Sequence, residues 1–236
     1  MKSFSPHRRT LPAPQLALWP ELEPFASMGF VLYGGTALAL RLGHRESVDF
    51  DFFTGGPLDK TSMMQTTALE GAQVVQNAAD TLTLAVTRAG GTVKLSFFGD
   101  LVPARIRGRV GEPERTEDGV LWVASIDDLF ATKVKVVLDR AEAKDYRDVA
   151  ALLRSGATLD RALASAQAIY GPAYQPSESI KALSYFGDGD LATLPTDVRE
   201  LLTTAAAGIR TIPQLALAAP SLGFSEGHDP PTRVAP

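Results

Sequence analysis

Between residues 30 and 53 the spacing of apolar side chains changes twice, and each change marks an element. Phe30 to Tyr33 is an unbroken apolar run of the length of a buried strand. Gly34 and Gly35 interrupt it, and Thr36 to Leu42 resumes at helical spacing, with Thr36 as candidate N-cap and Gly43 as the stop. From Ser47 the period becomes two, which sets Val48, Phe50 and Phe52 on one side of a strand and Asp49, Asp51 and Phe53 on the other. Two further alternating runs, 81–87 and 92–98, flank Arg88-Ala89-Gly90-Gly91 and read as a hairpin that extends the same sheet; 119–125 reads as another strand.

Helical spacing dominates elsewhere. Leu16, Leu18, Trp19, Leu22 and Phe25 form a helical pattern broken by Pro20 and Pro24, behind a polar arm over residues 1–12; Thr61 to Gly71 is a candidate helix capped by Asp59 or Thr61. Ser125 precedes a helix whose apolar arc is Ile126, Leu129, Phe130, Val134 and Val137. A second helix over 143–154 buries Tyr146, Val149, Ala150 and Leu153, and 160–170, 177–185 and 196–207 continue as helices. Strands first and helices afterwards predict an α/β (α+β) chain: an N-terminal helix and core over 1–124, a helical region over 125–217, and a proline-rich, disordered tail over 218–236.

Composition narrows the picture. With 236 residues, 45% of them hydrophobic, the chain can bury a sizeable core. A net charge of −4 supplies no general attraction for nucleic acid. The absence of cysteine excludes disulfides and thiolate metal sites and suits the cytoplasm. No run approaches the ~18 consecutive apolar residues of a membrane span, so no membrane partner is expected. His7, His44 and His228 are scattered, and the alternating Arg105, Arg107 and Arg109 read as a solvated edge strand or a substrate groove.

Chemistry concentrates at two places. Glycines ahead of a helix let its N–H groups approach an anion, and two carboxylates pointing the same way repel unless a cation lies between them. Hard oxygen ligands of this kind suit Mg²⁺ together with phosphates. The bland readings are a tight turn and the wet face of an edge strand. The second place is Lys133, near the middle of an apolar arc, where an ammonium must snorkel, pair with a core carboxylate or meet an anionic ligand. Asp145 and Asp148 are neighbours on the next helix, either as part of a site or in a surface salt-bridge network with Lys144 and Arg147; Arg140 also pairs with an acid.

The order of strand, Gly34-Gly35-Thr36, short helix and Asp49-Phe50-Asp51-Phe52-Phe53, with thirteen residues between Gly35 and Asp49, resembles the DNA polymerase beta-type nucleotidyltransferases. More narrowly it resembles the AbiEii/AbiGii toxin-type family. A second region, Asp128-Leu129-x3-Lys133 followed by Arg140-x3-Lys144-Asp145-x2-Asp148-x3-Leu152, resembles that family's second motif, and the likeness runs over roughly residues 28–187. The resemblance implies a nucleotidyltransferase core with a mixed sheet, a C-terminal helical region, and an active site in the cleft between them. It implies transfer of a nucleoside monophosphate from an NTP to RNA, protein or a small molecule, and a cognate antitoxin as partner. By the same resemblance Asp49 and Asp51 hold Mg²⁺ (or Mn²⁺), Gly34, Gly35, Thr36 and Lys133 bind the nucleotide, and Asp148 supports the site with Asp145 as companion. Ser96 departs from the pattern, standing where the family carries a third carboxylate. Two alternatives therefore stay open: a catalytically weakened nucleotide-binding or regulatory module, and an aminoglycoside-type transferase acting on a small molecule.

Overall fold

The computed structural model describes residues 2–99 and 106–224 and contains two compact units. The described part of the first comprises 2–99, 112–124 and 220–224; that of the second comprises 106–111 and 125–219.

The first unit is built on a mixed sheet. In chain order its elements are β1 (Ser3–Phe4), α1 (Ala13–Leu18), α2 (Glu23–Ser27), β2 (Val31–Tyr33), α3 (Gly34–Leu42), β3 (Asp49–Phe53), α4 (Lys60–Met64), β4 (Gln73–Ala78), β5 (Thr81–Arg88), β6 (Gly91–Phe98), β7 (Glu114–Thr116) and β8 (Trp122–Val123). The strand order is β1-β7-β8-β2-β3-β6-β5-β4. β2 lies between β8, parallel, and β3, antiparallel, and its three residues are all buried, without the alternation of a strand that has one wet face. β3 pairs parallel with β6 and keeps its alternation, with Phe50 and Phe52 inward. Phe25, Phe30, Phe52 and Phe97 pack there, Phe25 and Phe97 with ring centroids 4.8 Å apart. The β5–β6 hairpin turns at Ala89 and Gly90, both at positive φ (46° and 75°), the twist that two-residue hairpins require.

Several expectations are corrected here. β3 starts at Asp49, so Val48 does not join Phe50 and Phe52 in the core; it is 61% exposed. Thr36 is not the cap of α3, which begins at Gly34 after Tyr33. The helix expected over 61–71 ends at Met64, capped by Asp59, which accepts from the Ser62 N–H at 3.1 Å; β4, an unforeseen edge strand, follows. The described part of the arm, residues 2–12, is tied down, with β1 parallel to β7 and His7 donating its N–H to the Leu40 carbonyl. Part of the tail expected to be disordered is packed: Phe224 sits edge-on against Trp122, and the Tyr33 hydroxyl donates to the Leu222 carbonyl. Residues 225–236 and Arg105 lie outside the described residues. Arg109 is buried and bridged to Ala219 rather than solvated on an edge strand, and Arg107 donates its N–H to Ile169.

The second unit is helical: α5 (Ile126–Asp139), α6 (Ala143–Arg154), α7 (Leu159–Tyr170), α8 (Pro176–Ala182) and α9 (Thr196–Gly208). Ser125 caps α5 by accepting from the Asp128 N–H at 3.1 Å. The wholly buried Asp128 carboxylate in turn accepts from Ser125, Val110 and Gly111. Burial pushes this carboxyl above its ordinary range, against the pull of those three donors. Asp190 caps α6 from a distant loop, accepting from the Ala143 N–H at 2.6 Å. No helix among the described residues is long and apolar enough to cross a membrane.

Candidate active site

In the first unit, Gly34 ends β2 and opens α3 at φ +75°, and a Cβ there would lie 2.5 Å from Asp51 Oδ2. Both the backbone conformation and the nearness of the carboxylate demand glycine. Gly34→Ala is expected to lower stability by about 1–3 kcal/mol through left-handed strain and to displace the Asp51 carboxylate. Thermal unfolding with and without Mg²⁺ and NTP checks both effects: a variant that matches wild type in both refutes the glycine's role. Gly35 is similarly crowded, since a Cβ would lie 2.8 Å from Arg45 Nη2 and 3.0 Å from Ser47 Oγ.

Thr36 is buried, and its hydroxyl donates to the Asp49 carbonyl while lying 2.9 Å from Ser47 Oγ. With one proton to give, Thr36 must receive the second bond from Ser47. Its side chain thereby fastens α3 to the start of β3.

Asp49 and Asp51 alternate with the buried Phe50 and Phe52 and so share the other face of β3. The parallel register sets Lys94 of β6 beside Asp49, and Ser96 beside Asp51. Lys94 Nζ is 3.2 Å from Asp49 Oδ2, whereas Ser96 is buried and pairs on its far side with Thr83 of β5. The structure thus brings Gly34, Gly35, Thr36, Asp49, Asp51 and Ser96 together on adjacent elements. No group of three or more His, Cys, Asp or Glu able to hold a metal occurs among the described residues. Two same-facing carboxylates beside a hydroxyl nevertheless fit Mg²⁺, which commonly takes one or two protein carboxylates and completes its shell with water and phosphate.

The remaining sequence-derived candidates form a buried cluster in the second unit. Lys133 on α5 places Nζ 2.7 Å from Asp145 Oδ1 and 2.7 Å from Asp148 Oδ2, both on α6 and both fully buried. Arg140 Nε reaches Asp145 Oδ2 at 2.8 Å. Of the three options for a lysine on an apolar arc, the structure shows pairing with core carboxylates, twice over. Pairing of each buried carboxylate with a cation, Lys133 for both and the half-exposed Arg140 for Asp145, offsets the cost of burying them. Burial alone would raise the Asp145 carboxyl, but the Arg140 hydrogen bond and the Lys133 charge outweigh it and hold it below its ordinary value. Its contribution to stability is therefore complete above about pH 4 and is lost as the pH falls below that.

Sequence reading missed Lys94, Arg45 and Asp190. The first carried a usable signal, because the alternation that turns Ser96 toward the carboxylates also turns Lys94. Arg45 lies against Gly35 through a loop conformation, and Asp190 reaches Ala143 across a long sequence separation; neither is periodic.

The chain is similar to known proteins in sequence and in fold. The family model described as nucleotidyl transferase AbiEii toxin, type IV TA system, matches residues 21–210. An uncharacterised protein of Aquifex aeolicus (strain VF5) is 34% identical over 140 residues, which cover 56% of this chain and 64% of that relative's length. An H. pylori protein of known crystal structure, described as a candidate nucleotidyltransferase, has a TM-score of 0.53 at 19% identity over 85% of this chain and 92% of its own. That likeness is one of fold. An antigenic nucleotidyltransferase-like protein from Paracoccidioides brasiliensis is 16% identical over 89% of this chain and 98% of its own, with a TM-score of 0.49.

Proposed function

Because the chain belongs to the AbiEii nucleotidyl transferase toxin family, we propose that it transfers a nucleoside monophosphate from an NTP to an acceptor hydroxyl or comparable nucleophile, releasing pyrophosphate. The observation that carries this reading is the Asp49–Asp51 pair facing one way beside the Gly34 turn, with Asp51 Oδ2 only 2.5 Å from where a Cβ would stand. Asp49 and Asp51 would hold Mg²⁺ or Mn²⁺. When bound, that ion polarises phosphate oxygens and neutralises the charge that develops on transfer.

The chain's own groups supply position. Gly34 and Gly35 let Asp51 and Arg45 stand close against the first turn of α3, whose N–H groups and dipole favour an anion. Thr36 keeps that turn fixed to the carboxylate strand through the Asp49 carbonyl. Following the family motif, Lys133 serves the nucleotide phosphates and Asp148 supports the site, with Asp145 as companion. Lys133 already gives two of its three ammonium donors to Asp145 and Asp148, so a phosphate would take the third or displace one of the carboxylates. The protein would act in the cytoplasm as the toxin of a toxin–antitoxin or phage-defence pair, held in check by a cognate antitoxin.

One observation favours a second reading. Ser96 brings no charge to the place beside Asp51, so metal affinity is lower than with a third carboxylate, as in a nucleotide-binding module with weakened chemistry. Incubation with each of the four α-³²P-labelled NTPs, Mg²⁺ or Mn²⁺, and acceptors from three classes (transfer RNA, protein, aminoglycoside) separates the readings. Label is expected on one acceptor class. Nucleotide binding without label on any acceptor would favour the regulatory module, and label confined to the aminoglycoside would favour the small-molecule transferase.

A further inference from the structure

Lys94 is the one cation that the β3–β6 register sets directly beside a carboxylate of the Asp49–Asp51 pair. Its ion pair with Asp49 is half exposed, with side-chain exposures of 47% and 42%. A pair of that exposure contributes little to folding, and solvent makes it readily exchangeable. Across the two strands the same face presents Asp49, Asp51, Lys94 and Ser96 as a two-by-two patch whose own formal charge is −1, with the Arg45 guanidinium beyond it at Gly35, where three carboxylates without the lysine would carry −3.

That difference changes what the patch can bind. A patch of −1 attracts a bare divalent ion weakly, while a metal–triphosphate complex, itself about −2, meets less repulsion and finds an ammonium waiting. Resting on the nucleotidyltransferase reading, we infer that Lys94 is an exchangeable positioning cation. It occupies Asp49 in the free protein, discourages a lone metal ion, and turns to the triphosphate when metal and phosphates arrive together. The site accordingly takes its metal as the metal–triphosphate complex. Lysine suits the task because its ammonium is a point charge on a flexible stem, with donors for either carboxylate or phosphate.

Calorimetric titration of the full chain with Mn²⁺ alone and with Mn²⁺ plus inorganic triphosphate tests this without depending on the base or the acceptor. Lys94→Gln is expected to bind Mn²⁺ alone roughly five-fold more tightly, the size expected of one ammonium acting on a divalent ion across screened solvent. The same variant should bind Mn²⁺–triphosphate roughly ten-fold more weakly, for loss of a charge-assisted hydrogen bond. Lys94→Arg should restore the second constant at least in part, and the thermal stability of both free variants should stay near wild type. Opposite signs for the two constants are the signature. If both constants move in the same direction, or neither moves, Lys94 is an ordinary cross-strand partner and the inference falls while the site stands. If the wild-type protein binds neither Mn²⁺ nor Mn²⁺–triphosphate, the nucleotidyltransferase reading falls, and the inference with it.

Discussion

Replacing Lys133 by methionine is expected to destabilise the protein by about 3–5 kcal/mol, the cost typical of removing one partner from a buried ion pair. Methionine keeps the length of the stem and its apolar contacts, so the loss isolates the charge. Arg140 would still face Asp145, but the ammonium 2.7 Å from each of two fully buried carboxylates would be gone. The double variant Lys133→Met with Asp148→Asn removes one of those carboxylates as well and should recover a good part of the deficit, a coupling that a double-mutant cycle quantifies. Lys135→Ala is the control: Lys135 bonds Asp139 one helical turn away, both are partly exposed, and the change should stay within about 0.5 kcal/mol. Urea unfolding followed by circular dichroism provides the measurement. A Lys133→Met protein as stable as wild type would mean that the cluster does not depend on its lysine charge.

This expectation cannot be formed from the sequence, and the reason is physical. The 3.6-residue period identifies Lys133 as a cation on a buried face and Asp145 and Asp148 as neighbours on the next helix. Periodicity within a helix, however, carries no information about which helix faces which. Only the packing of α5 on α6 turns an arc and a margin into one network with Nζ between two carboxylates. The same limit explains Val48. Alternation predicts which side of a strand a residue takes but not where pairing starts, and β3 starts one residue later. β4 went unseen because all six of its residues are exposed, so an edge strand with two wet faces leaves no hydrophobic alternation to read.

Where pairing and pattern coincide, the reading was strong. The alternation through Asp49 and Asp51, and the hairpin whose turn is Ala89-Gly90, reappear as β3 and as the β5–β6 pair. The nucleotidyltransferase core with its mixed sheet and following helices is thus legible from spacing and motif together. The packed segment Pro220–Phe224 was not, because its anchors are one ring on Trp122 and hydrogen bonds of the Leu222 and Phe224 backbone to Tyr33, Gly29, Thr54 and Gly55, none of which repeats along the chain.

The second large effect is chemical. Asp51→Asn is expected to reduce metal-dependent nucleotidyl transfer on the order of a thousand-fold, equivalent to about 4 kcal/mol of transition-state stabilisation, because metal assistance typically supplies several kcal/mol. Asp51 is the more sensitive of the pair on three grounds in the structure. Its carboxylate stands against Gly34, at the mouth of the turn that opens α3. Its neighbour across the sheet is the uncharged Ser96, so no side chain abreast of it on β6 can substitute for its charge. Asp49 shares its carboxylate with the Lys94 ammonium, which offsets part of its charge toward a metal. Asparagine preserves shape and one oxygen, so folding should survive: the free variant should melt within a few degrees of wild type, while the stabilisation that Mg²⁺ and NTP together confer on wild type should vanish. Single-turnover transfer with the NTP and acceptor found for wild type, read beside thermal shift, separates the two effects. An Asp51→Asn protein that transfers label at the wild-type rate would remove the metal from the carboxylate pair and with it the assignment of β3 as the catalytic strand.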